Sequence, residues 1–203
     1  MSEDEREIGV GPLPKPWPND QRLDPELLAN GDQRNVIDAY RYWSVEAIKT
    51  DLDLRRHSFH VAIENWVNDN NIGSVVRTAN AFLAKEVHFI GRKRWNRRGA
   101  MGTELYQHLR HHEGLSEFLS WVQETGLEVI GIDNALEATP LETAVLPRDC
   151  VLLFGQEGAG LSAPAQEICT AVLSIAQFGS TRSINAGAAA AIAMHTWVRE
   201  HGL

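Results

Sequence analysis

From residue 56 onward the chain switches between two hydrophobic periods. Phe59, Val61 and Ile63 alternate with His60 and Ala62, the two-residue rhythm of a strand, and the run ends at Glu64-Asn65. Asn68-Asp69-Asn70-Asn71 is a turn and helix-cap cluster, behind which Ile72, Val75, Val76, Ala79 and Phe82 fall on one helical stripe. Glu86–Gly91 predicts a second strand, Leu115, Phe118, Leu119 and Val122 another amphipathic helix, and Leu127–Ile132 a further strand. Residues 133–146 form a polar-then-apolar connector containing Pro140. The apolar runs Val151–Phe154 and Ala171–Ile175 each end in a turn of small and polar residues. The second turn opens an alanine-rich helix with Gly202 at its expected stop. Strands alternating with helices at this spacing predict an α/β fold, a mostly parallel sheet with helices on both faces.

Upstream the pattern differs. Residues 1 to about 33 are rich in Pro, Gly, Asp and Glu with little periodicity, which reads as an arm. Val36, Ile37, Tyr40, Trp43, Ala47 and Ile48 then recur at helical spacing and predict an amphipathic helix from Gln33 to about Asp51. The expected organisation is an N-terminal extension over residues 1–55 and one main domain over 56–203.

The composition adds exclusions. The alanine-rich segment is too short to cross a bilayer, and the acidic start MSEDEREIGV is not a secretory signal, so a cytoplasmic protein is expected. The two cysteines, Cys150 and Cys169, and the histidines show no metal-ligand spacing, so no metal is expected. A net charge of −8 argues against a nucleic-acid partner taken as an average. The charge is uneven, however. Arg92, Lys93, Arg94, Trp95, Arg97 and Arg98 form a dense basic run with an aromatic face interleaved, a pattern suited to RNA.

The chemistry concentrates at the two late turns. Gly155-Gln156-Glu157-Gly158-Ala159-Gly160 lacks the glycine spacing of a dinucleotide fingerprint and the lysine of a phosphate loop. Taken singly, Arg77 reads as a surface charge, and Asn71 and Ser183 as helix caps. Asn185 is harder to explain, because Asn is a poor residue for a helix interior. Together, NIGSVVRTANAF, LLFGQEGAGLS and Ser183-Ile184-Asn185 resemble the three motifs of the SpoU/TrmH-type RNA ribose 2′-O-methyltransferases, members of the SPOUT class. The resemblance covers about residues 56–203.

That resemblance implies a deep C-terminal trefoil knot, bound S-adenosyl-L-methionine, a homodimer, and methylation of a ribose 2′-hydroxyl in tRNA or rRNA. It implies a cofactor pocket lined by Ile132, Asp133, Gly155, Ile175 and Ile184, and a catalytic set of Asn71, Arg77, Glu157, Ser183 and Asn185. Three positions depart from the family pattern. Ile175-Ala176-Gln177 stands for the usual Ile-Pro-Met, Ile184 for leucine, and Gly187 for a branched or hydroxyl residue. Two rivals follow. One is a catalytically silent RNA-binding or assembly factor on the same scaffold; the other is a methyltransferase with a non-RNA acceptor.

Overall fold

The computed structural model describes residues 9–64, 71–135, 137–156 and 158–203. The chain divides into two compact units, Met1–Arg55 and Arg56–Leu203.

In the first unit, the Pro-rich stretch from residue 9 on carries more structure than its composition predicts. Asp24 accepts the Glu26 N–H and caps α1 (Pro25–Asn30), and antiparallel bridges join Val10 to Asp32 and Leu23 to Trp43. The single helix expected from Gln33 to Asp51 is broken into a 3-10 turn, Asp38–Tyr40, and α2 (Val45–Asp53). The cause is Asp32. Its buried carboxylate accepts bonds from the Arg34 side chain and from the Tyr42 N–H at 3.0 Å, drawing that amide out of a helix. Tyr42 adopts φ +63°, and Ser44 restarts the helix by capping Ala47.

The second unit is a seven-stranded sheet built from β1 (His60–Glu64), β2 (Val87–Ile90), β3 (Leu109–His112), β4 (Glu128–Ile132), β5 (Thr139–Pro140), β6 (Cys150–Phe154) and β7 (Ala171–Ser174). The order is β3-β2-β1-β6-β4-β7-β5, and every strand pairing is parallel. Leu109–His112 has no apolar alternation, and it still pairs because it is an edge strand with one partner.

Alternation along the strands divides the core in two. Val61, Ile63, Phe89, Ile130, Leu152 and Phe154 face α3 (Ile72–Ala81) and α6 (Ala186–His201). Ala62, Ile90, Val129, Val151 and Leu153 face α4 (Leu115–Thr125) and α5 (Ala163–Glu167). The expected helices on both faces are therefore present. The alanines of α6 have a packing role, since Ala190 and Ala193 are fully buried where the helix approaches its neighbours. Trp197 of α6 donates its indole N–H to the Pro147 and Arg148 carbonyls, while Glu200 accepts the Leu146 N–H at 2.9 Å. The connector before β6 is thereby strapped to the last helix. Among the described residues, no helix is long and apolar enough to cross a membrane.

Candidate active site

Strand ends and helix starts converge at one edge of the sheet. The carboxyl ends of β4, β6 and β7, with the start of α6, line a cavity of about 610 Å³. That volume lies within the usual range for a ligand site, and parallel sheets place such sites beyond their carboxyl ends. Ile132, Phe154, Ile175 and Ile184 give it apolar walls, and Asp133, Asn134, Ser183 and Asn185 give it polar ones.

The glycine turn is shaped by close approach. Gln156 and Gly160 exchange backbone hydrogen bonds of 2.8 and 2.9 Å and so close the loop on itself. A Cβ on Gly155 would lie 2.1 Å from the Leu161 nitrogen and 2.2 Å from the Gly160 carbonyl carbon, so glycine is required there. Gly160 sits at φ +73°, with the Asp133 carboxylate where its side chain would point.

Two carboxylates hold this loop. Asp133 Oδ2 accepts the Leu161 N–H at 2.8 Å. Glu64, buried at the end of β1, accepts the Ser162 N–H at 3.0 Å and its hydroxyl at 2.5 Å. The Ser162 hydroxyl in turn caps α5 by accepting the Ala165 N–H. Neither Glu64 nor Ser162 is among the sequence-predicted site residues. The signal was present in a strand that ends on a carboxylate and in a serine directly before Ala163-Pro164.

Of the expected cofactor residues, Ile132, Asp133, Gly155, Ile175 and Ile184 all line the cavity. So do Asn71, Ser183 and Asn185 of the expected catalytic set. Asn71 Oδ1 accepts a 3.0 Å hydrogen bond from Asn185 Nδ2, joining the first motif to the third across more than a hundred residues. The capping roles come out reversed. Asn71 precedes α3 without making a side-chain cap bond, whereas Asn185 caps α6 by accepting the Ala188 N–H at 3.1 Å. A Cβ at Gly187 would stand 3.2 Å from Asn185 Oδ1, so glycine at this departure from the family pattern leaves the pair room.

Arg77 is exposed on α3 and is not among the residues lining the cavity. It lies six residues beyond Asn71, about 9 Å further along a helix axis. Glu157 lies outside the described residues. Phe154, Asn134, Gln156 and Arg182 also line the cavity and were not anticipated.

The basic run is anchored to the same helix as Arg77. Asn96 caps the 3-10 turn Arg97–Ala100, and a Cβ on Gly73 of α3 would come within 2.6 Å of the Ala100 nitrogen. Arg92, Lys93, Arg94, Arg97 and Arg98 are exposed. Trp95 is half-buried, stacked on Phe89 at 5.4 Å, with the Arg97 guanidinium 5.9 Å from its ring. Its indole thus anchors the loop to the core.

A second polar cluster lies on the α4 face of the sheet. His60 Nδ1 is 3.0 Å from His88 Nε2, and His88 Nδ1 is 2.9 Å from His112 Nε2. Burial, with the neighbouring cationic groups, pushes the His60 imidazolium down to about 4 and that of His88 to about 2, so both rings are neutral at ordinary pH. Burial also raises the two thiols, Cys150 to about 12 and Cys169 to about 11, which keeps both unreactive.

Comparison with known proteins gives the family and the fold. The model of the SpoU rRNA Methylase family matches residues 58–195. An uncharacterised tRNA/rRNA methyltransferase of Synechocystis is 28% identical over 186 residues, which is 87% of this chain and 48% of that protein. The crystal structure of the SpoU methyltransferase AviRb from Streptomyces viridochromogenes, in complex with AdoMet, superposes with a TM-score of 0.66 at 25% identity. The match covers 73% of this chain and 60% of that one. A structure concerned with 2-OH methylation of C/U34 on tRNA has a TM-score of 0.64 at 27% identity, covering 71% of this chain and 96% of that one. The chain spans about half the length of the curated relatives it matches.

Proposed function

Because the chain belongs to the SpoU rRNA methylase family, we propose that it is an S-adenosyl-L-methionine-dependent methyltransferase acting on a ribose 2′-hydroxyl of tRNA or rRNA. The carrying observation is the convergence of three sequence-distant motifs on one cavity, with Asn71 bonded to Asn185 beside the Gly155 turn. The cavity suits the cofactor. Ile132, Phe154, Ile175 and Ile184 offer apolar contact to a planar base, and Gly155 lets the turn at the cavity edge close tightly on its own backbone. When bound, the cofactor supplies a sulfonium methyl group as the electrophile.

The chain's own residues supply positioning and charge. Ser183, exposed at the cavity rim, hydrogen-bonds the acceptor ribose, and the Asn71–Asn185 pair fixes the start of α6 beneath it. Glu157 completes this polar set. Arg77 stays protonated at any ordinary pH, so it stabilises the developing alkoxide instead of removing the proton as a base. This chemistry calls for no metal.

In the proposed homodimer, Arg77 of one copy serves the cavity of the other. Its exposure and its place outside its own cavity lining support that reading. The basic run, fixed to the same helix, then grips the RNA backbone beside it. The deep C-terminal knot and a cytoplasmic location belong to the same proposal.

The test is transfer of labelled methyl groups to bulk tRNA and rRNA, with the product nucleosides mapped. Ribose methylation by the wild type that Arg77→Ala reduces by roughly a hundredfold or more, with an unchanged melting curve, is the expected result. Cofactor-independent RNA binding without transfer would favour the silent assembly factor instead.

A further inference from the structure

The histidine cluster lies away from the proposed methyl-transfer cavity, at the opposite end of β1 and β2, and nothing in that chemistry uses it. Glu86 and His88 are two residues apart and therefore share one face of the sheet. The register that pairs Val61 with Val87 brings His60 beside Glu86 on the neighbouring strand. One donor atom from each of His60, Glu86 and His88 falls within 4.8 Å of the others. We propose that His60 Nδ1, His88 Nε2 and a Glu86 carboxylate oxygen form a site for a divalent transition metal of the zinc class, tying β1 to β2.

The spacing fits such an ion. Tetrahedral zinc with bonds of 2.0–2.1 Å holds neighbouring donor atoms about 3.3 Å apart. Two of the three separations bracket that value, at 3.0 Å between His60 Nδ1 and His88 Nε2 and 3.5 Å between His88 Nε2 and Glu86 Oε2. The third, between His60 and Glu86, lies within 4.8 Å and closes by a small rotation of the Glu86 carboxylate. Two imidazoles with one carboxylate select zinc-class ions over calcium or magnesium, which demand oxygen donors throughout.

His88 also has the backing that ligand histidines need. Its Nδ1 lies 2.9 Å from His112 Nε2, an acceptor that would hold the Nδ1–H tautomer and leave Nε2 free for the ion. The ring is fully buried beneath Trp121, whose centroid is 4.1 Å away, so it cannot swing. His60 and Glu86 keep partial exposure, which provides an entry path and room for a water as fourth ligand.

One group competes. Arg110 Nε sits 3.1 Å from Glu86 Oε2 and must yield that oxygen or share the carboxylate. Without a metal, His60 Nδ1 and His88 Nε2 share a single proton as an ordinary hydrogen bond. The two states are therefore mutually exclusive.

Chelator-treated protein is titrated with Zn²⁺ by calorimetry and with Co²⁺ by visible absorption. Expected are one ion per chain, tetrahedral Co²⁺ bands, and a Zn²⁺-dependent rise in melting temperature. His60→Ala and Glu86→Gln, both at partly exposed positions, should each weaken binding roughly tenfold or more with metal-free circular dichroism unchanged. Arg110→Ala should strengthen it several-fold. The proposal is overturned by absence of stoichiometric binding in the wild type, or by wild-type affinity in His60→Ala, which would assign the ion to other surface histidines. None of these readouts involves methyl transfer.

Discussion

Gly155 is the residue on which the cavity depends most directly. With backbone atoms 2.1–2.4 Å from the position of a Cβ, no flexible side chain can absorb the clash, and the loop itself must open. Gly155→Ala should cost about 1–3 kcal/mol of stability, as overpacking does. It should also abolish calorimetric binding of S-adenosyl-L-methionine while circular dichroism stays native. Glu64 acts through the same loop from the other side. Replacing its carboxylate by an amide leaves one acceptor oxygen for two Ser162 donors. Glu64→Gln should therefore lower stability by roughly 1–2 kcal/mol and raise the KM for the cofactor more than it lowers kcat, measured in steady-state transfer assays. Local sequence could indicate that Gly155 and Asn71 matter, but not which backbone or side chain each would meet. Asn185 reaches Asn71 through the chain's return path, which no short window contains. Leu161, though close in sequence, meets Gly155 through a loop closure that the residue pattern does not spell out.

At the scale of elements, strands and helices with a clear period were legible. The stripes of α3 and α4 identify both their type and their buried face, whereas the alternation of β1 identifies its type alone, since both of its faces are buried. What escaped notice were elements made by partners instead of pattern. β3 exists because β2 offers an edge, and β5 is two residues pinned to β7. The break before α2 was likewise invisible, because it depends on the Asp32 carboxylate reaching an amide ten residues away. Burial acts to raise the Asp32 carboxyl, but the bonds from Arg34 and the Tyr42 amide outweigh it and hold the group at about 2, below its ordinary 3.8. The unfolded carboxylate takes up its proton near 3.8 and the folded one only near 2. Its stabilisation is therefore complete above the higher value and lost as pH falls through the lower. Hydrogen exchange over residues 9–55 should show protection falling in that acid window. Asp32→Asn should reduce the pH dependence there, the remainder coming from Asp20 and Asp51, whose carboxyls are also held below their ordinary value by hydrogen-bonded partners.

At the scale of the whole molecule, residues from all three motifs line one cavity, whereas Arg77 is exposed on α3 and is not among the residues that line it. Mixing Arg77→Ala with Ser183→Ala protomers tests the shared site. If the arginine acts across the dimer, mixed dimers regain one complete site each, and a randomised mixture recovers about a quarter of wild-type activity. If it acts within its own chain, the mixture stays as inactive as its parents. The sheet order carries a separate consequence, for the time before the protein is complete. β1 is central, and its second neighbour, β6, is supplied only after β2, β3, β4 and β5 have all been synthesised. At ordinary translation speeds the apolar edge of β1 stays open for on the order of ten seconds on the ribosome. During that interval a growing chain of this protein presents an unpaired strand to chaperones and to its neighbours on the same message.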